Sequence, residues 1–175
     1  MILAVSVLML AGCASKADEE IEEDGGKRNN TDFEAAKTIE STKITKFSCE
    51  FSLLAFAEEL EPPLLYGTYL LEAEVKDAKV SCRYCLDFRD GESTDESFEA
   101  DEAFMDELQK IVSENDLAQH NGVNVYVSGL PDMYGAKLDI DYESGEHIYA
   151  SDNQDCFLSM KVMRELVELF EKERT

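Results

Sequence analysis

Alternation of apolar and polar residues at every second position is the strongest constraint that this sequence places on its fold. Phe47, Cys49, Phe51 and Leu53 alternate with Ser48, Glu50 and Ser52, and Tyr69, Leu71, Ala73 and Val75 alternate with Leu70, Glu72, Glu74 and Lys76. Val80, Cys82, Tyr84, Leu86 and Phe88 repeat the pattern against Ser81, Arg83, Cys85 and Asp87. Side chains along a strand point to opposite faces in turn, so each run reads as a strand with one buried face. Glu61, Pro62 and Pro63 mark a loop between the first two runs, and Asp77 with Ala78 fits a turn between the last two. Three successive antiparallel strands are the economical arrangement.

The second half carries the same signal. Val123, Val125 and Val127 alternate briefly after the Asn121-Gly122 turn, and Leu138, Ile140 and Tyr142 alternate with Lys137, Asp139, Asp141 and Glu143. A three-residue loop of Glu143, Ser144 and Gly145, with Gly145 at positive φ, sets Ile140 opposite Ile148 and Leu138 opposite Ala150. A two-residue loop would oppose Asp141 to Ile148 and split the apolar face. Helical spacing appears twice. Phe104, Leu108, Ile111 and Val112 follow Asp101 and Glu102, which suit a helix N-terminus, and Val162, Met163, Leu166, Leu169 and Phe170 follow Ser159, a candidate N-cap. The expected fold is α+β: an antiparallel sheet of about five to six strands, in the order β-β-β-α-β-β-β-α, with two helices packed on one face.

The start of the chain bears on location. Ile2 to Ala11 is apolar without a charge, Leu10, Ala11 and Gly12 lead into Cys13, and the sequence then turns polar and acidic. An apolar run this short does not span a hydrocarbon core of roughly 30 Å. It suits a signal peptide, and the four residues Leu10-Ala11-Gly12-Cys13 resemble the lipobox of bacterial lipoproteins. That resemblance implies cleavage before Cys13, a diacylglyceryl group on its sulfur, and a protein anchored by lipid on the outer face of the cell membrane. No Lys or Arg precedes the apolar run, so either the translation start lies inside a longer signal peptide or the α-amino group alone supplies the charge. The expected organisation is a signal peptide over 1–12, a flexible acidic tether over 13–40, and one α+β domain over 41–175.

The formal net charge of -23, without a basic cluster, argues against nucleic-acid binding and against attraction to anionic headgroups. Of the five cysteines, Cys13 is assigned to lipid. Cys82 and Cys85 form a C-x-x-C, but in a strand they point to opposite faces about 10 Å apart, beyond the roughly 7 Å that a disulfide spans. Cys49 and Cys82 read as core residues.

Recognisable catalytic constellations are missing. His120 and His147 are the two histidines, one at a helix end and one on the solvent face of the hairpin, and neither lies in an H-E-x-x-H pair. No motif supports Cys156 as a nucleophile. The acidic stretch from Asp90 to Asp101 reads as a loop and does not match a calcium-loop pattern. Asp139, Asp141 and Glu143 share one strand face about 7 Å apart at successive positions, and read as a solvated outer face. No catalytic, cofactor or metal residue is therefore assigned.

The hairpin from Asp139 to Ser151 and the helix after it are similar to the end of small lipoproteins of Gram-positive gut-type anaerobes, a likeness that implies a non-catalytic surface domain. Two functions follow as expectations. One is a lipid-anchored interaction module for a protein or peptide of the cell envelope. The other is a small extracytoplasmic enzyme or receptor with an acidic cleft.

Overall fold

The structure is a computed structural model that describes residues 26–56, 60–77, 79–88, 91, 93–129 and 135–174. Eight strands form one sheet: β1 (Lys27–Asn29), β2 (Ile44–Ser52), β3 (Thr68–Lys76), β4 (Lys79–Asp87), β5 (Thr94–Ala100), β6 (Asn124–Val127), β7 (Ala136–Tyr142) and β8 (His147–Asp152). Their order across the sheet is β1-β6-β8-β7-β2-β3-β4-β5. Helices α1 (Glu102–Glu114) and α2 (Met160–Arg174) cover one face, with a short 3-10 turn over Leu117–His120.

The alternating runs become strands for the reason their period implies. Phe47, Cys49 and Phe51 of β2, Tyr69 and Leu71 of β3, Tyr84 and Leu86 of β4, and Leu138 and Ile140 of β7 are all buried on the helix side. Ile44 joins them three residues before Phe47 because the ladder is irregular between Ile44 and Lys46, where a bulge returns the side chain to the core face. Asp101 caps α1 by accepting from the Ala103 and Phe104 amides, and the Ser159 hydroxyl accepts from Val162 N at the start of α2. Phe170 of α2 holds the layers together. Its ring centroid lies 6.4 Å from Phe47, 6.3 Å from Phe98 and 5.1 Å from Phe104, so it touches β2, β5 and α1 at once.

The hairpin has the expected register. Ile140 pairs with Ile148 and Leu138 with Ala150, and Gly145 has φ 85°. Elsewhere the structure corrects the expectation of five or six antiparallel strands. The acidic stretch read as a loop contains β5, an edge strand paired to β4, in which Phe98 and Ala100 are half-buried while Asp95, Ser97 and Glu99 face solvent. Charges along a sheet edge oppose pairing with another chain, so an acidic edge strand is physically sound. The strand β6 runs parallel to β8 rather than forming a hairpin with β7, because β7 is taken up between β2 and β8 at the centre of the sheet.

Part of the expected tether also belongs to the sheet. Lys27–Asn29 pairs with β6, and a strap over 30–43 then crosses to β2. Five hydrogen bonds help to fix the strap. The Asn30 and Asp32 amides donate to Asn124 O and Gly122 O at 2.8 Å each, the Asn121 side-chain amide donates to Ala36 O at 2.9 Å, and both carboxylate oxygens of Glu146 accept from the Glu40 and Ser41 amides at 2.9 Å. Polar composition suggested a solvated segment, but these bonds satisfy its backbone against the domain. Cys13, the lipobox and residues 14–25 lie outside the described residues.

Candidate functional site

Because both helices bury their apolar stripes on one side, the opposite side of the sheet carries the alternate residues of each strand with no helix over it among the described residues. This open face is a ladder of mixed charge. At the β5 side, Arg83 of β4 donates to both carboxylate oxygens of Asp95, at 2.8 and 2.9 Å, and to Glu72 of β3 at 3.4 Å. Its hydrogen bonds hold the Asp95 carboxyl below the usual range and raise the guanidinium further. Lys79 pairs with Glu99 at 2.6 Å beside it.

Towards β8 the face changes character. The hairpin register sets Asp141 directly opposite His147, and Asp139 opposite Tyr149. His147 Nδ1 lies 2.8 Å from Asp141 Oδ1 and 4.0 Å from Asp139 Oδ1. The Tyr149 ring is nearly parallel to the imidazole, 12° apart with centroids 6.4 Å apart. Lys46 of β2 sits opposite Asp141 on the other flank of β7, and Ser48 opposite Asp139. Glu143, the third carboxylate of the sequence pattern, falls in the turn and pairs with Lys43 at 3.6 Å, so it does not join the other two.

Two shallow depressions interrupt the face. One of ≈ 240 Å³ lies at the end of β2, β7 and β8, between Glu50, Thr68, Lys137 and Asn153. The other, of ≈ 230 Å³, lies between Lys46, Glu72, Glu74 and Arg83. The first is lined by Ser52, Thr68 and Ser151 beside Glu50, Lys137 and Asp152, and in the second Glu72 and Glu74 stand among Lys46, Lys76 and Arg83.

The cysteines fall as their strand positions dictate. Cys82 is buried among the helices and Cys85 is half-buried on the open face; both are free thiols, as are Cys49 and Cys156. Burial pushes the Cys82 thiol up to about 12 and raises Cys49 and Cys156 as well, which keeps all three protonated and unreactive at neutral pH. The Cys156 sulfur lies against Leu158 O and Met163 Sδ rather than a histidine. His120 packs on Phe157 with centroids 5.0 Å apart, and burial lowers its proton affinity.

Sequence reasoning placed Asp139, Asp141 and His147 correctly on the solvent side but did not bring them together. The signal was present, since the register that opposes Ile140 to Ile148 also opposes Asp141 to His147. No protein-family model matches the chain, and no curated protein is significantly similar to it.

Proposed function

We propose that this chain is a lipid-anchored, non-catalytic binding module of the bacterial cell surface that presents the open face of its sheet to a protein or peptide partner. The observation that carries the reading is the asymmetry of the sheet: one face is covered by two helices, and the other carries mostly polar side chains with no helix over it among the described residues. Strands held on both sides give such a face a fixed geometry, and mixed charge gives it specificity without a deep cavity.

The anchor is the sulfur of Cys13, and the membrane contact is the lipid itself. Because β1 begins at Lys27, the segment 13–25 sets the distance from the bilayer, at most about 45 Å when fully extended.

Crosslinking in intact cells tests the reading. A photoreactive residue at Ser48, on the open face, is expected to capture one stoichiometric envelope partner, whereas the same residue at Glu168, on the helix side, is expected to capture none. Equal yields from both positions, or none from either, would overturn it. Metabolic labelling with a fatty-acid probe is expected to mark the wild type and not Cys13→Ala.

A further inference from the structure

We propose that Asp139, Asp141 and His147 form a binding site for one borderline divalent cation of the zinc class on the open face of the sheet. The proposal stands independently of what the rest of the face binds. It starts from the β7 alternation, which projects Asp139 and Asp141 from the same side, and from the β7–β8 register, which brings His147 across to them. One ligand atom from each of the three lies within 4.8 Å of the others. Three donors at about 2.1 Å from a metal stand about 3.4 Å apart in tetrahedral geometry, so small side-chain rotations close the set.

The contact distances inside the trio are unequal. His147 Nδ1 lies at hydrogen-bond distance from Asp141 Oδ1, 2.8 Å, and at 4.0 Å from Asp139 Oδ1, so the imidazole directly engages one of the two carboxylates. A cation among the three engages both carboxylates together, releasing the Nδ1 proton to solvent when the imidazole was charged. The scaffold is rigid. Strand β7 is paired to β2 and β8, and the β8 backbone at His147 and Tyr149 is bonded on its other side to the Asn121 side chain. Lys46 and Lys137 stand beside the carboxylates on the same face, and their charges temper the affinity.

The donor set selects the class of ion. Calcium takes six to eight oxygens and magnesium keeps near-octahedral oxygen coordination, whereas one imidazole with two carboxylates suits the borderline divalent metals. The remaining coordination positions face solvent and hold water or a donor from a bound molecule.

Zinc titration of the full chain carrying Cys13→Ala, which removes a competing thiol, tests the site. In proton–carbon NMR spectra the His147 imidazole signals are expected to move with saturation at one equivalent, while those of His120 stay fixed. Calorimetry is expected to show at least a tenfold weaker affinity in both Asp139→Asn and His147→Gln, and magnesium at the same concentration is expected to leave His147 unmoved. Amide spectra report whether each variant is folded, and the wild-type histidine response needs no variant at all. A response at His120 instead of His147, or zinc affinity unchanged in both variants, would overturn the proposal.

Discussion

Two glycines with nearly the same backbone angle separate the cost of conformation from the cost of space. Gly122 has φ 84° and Gly145 has φ 85°. At Gly145 a Cβ would meet nothing within 4 Å, so Gly145→Ala is left with the left-handed backbone penalty alone, about 1–2 kcal/mol. At Gly122 the same methyl would run into Asp32 O and stand 2.7 Å from Ala35 Cβ, both in the strap. The Asp32 backbone is held there by its amide bond to Gly122 O. Gly122→Ala is therefore expected to lose about 3 kcal/mol or more, roughly double the loss at Gly145, in urea unfolding at neutral pH. Equal losses at the two sites would mean that the strap is not packed on Gly122. The Asn121-Gly122 pair was legible as a turn from its composition, but the reason it needs glycine lies 90 residues away in the chain, in a segment whose polar sequence carries no packing signal.

At the scale of elements, the strap is fastened to the β7–β8 hairpin by one carboxylate. Glu146 accepts from Glu40 N, the Ser144 hydroxyl and Ser41 N, and these bonds hold its carboxyl below the ordinary value of 4.5. A group whose folded pKa is depressed adds stability above its unfolded pKa and loses it as pH falls through the folded value. The stabilisation is thus complete at neutral pH and fades below about pH 4.5. Thermal melts from pH 7 to pH 2 are expected to show a shallower acid decline in Glu146→Gln than in the wild type, and superimposable slopes would remove the clamp. The elements around it were legible to different degrees for physical reasons. Strands β2, β3, β4 and β7 each bury three or four alternate residues, which leaves a clear period in the sequence. Strand β5 turns only Phe98 and Ala100 inward, and strand β1 is three exposed residues, so neither leaves a period to read. The candidate site was half legible: the solvent face followed from alternation, while the meeting of His147 with Asp139 and Asp141 required the register to be extended from the apolar pairs to the polar ones.

For the whole molecule, the consequence is that residues 26–40, read from composition as tether, are bonded to the sheet and belong to the folded unit. The strap closes a gap that the sheet leaves open. Strand β6 pairs with β8 only at Ser151 and Asp152, and along the rest of β8 the Asn121 side chain takes the place of a strand, with its amide donating to His147 O at 3.0 Å and its oxygen accepting from Tyr149 N at 2.8 Å. Asn121 is buried, and its second donor contact, to Ala36 O, comes from the strap. Lys37 then covers the same residue through its ammonium group and Asn121 O. Deleting residues 1–25 removes none of these bonds, so that chain is expected to melt within a few degrees of the full one. Deleting residues 1–42 also removes β1 and strips the strap's partners from Gly122, Asn121 and Glu146. At roughly 1 kcal/mol for each hydrogen bond lost, and about 3 °C for each kcal/mol in a chain of this size, a fall of 10 °C or more is expected. Since Asn121 also supports the β8 backbone on either side of Ile148, hydrogen exchange at the His147 and Tyr149 amides is expected to quicken in the shorter chain while the β3 and β4 amides stay protected. Equal melting temperatures for the two deletions would return residues 26–42 to the tether and leave the β8 edge held by Asn121, Gly122 and β6 without the strap.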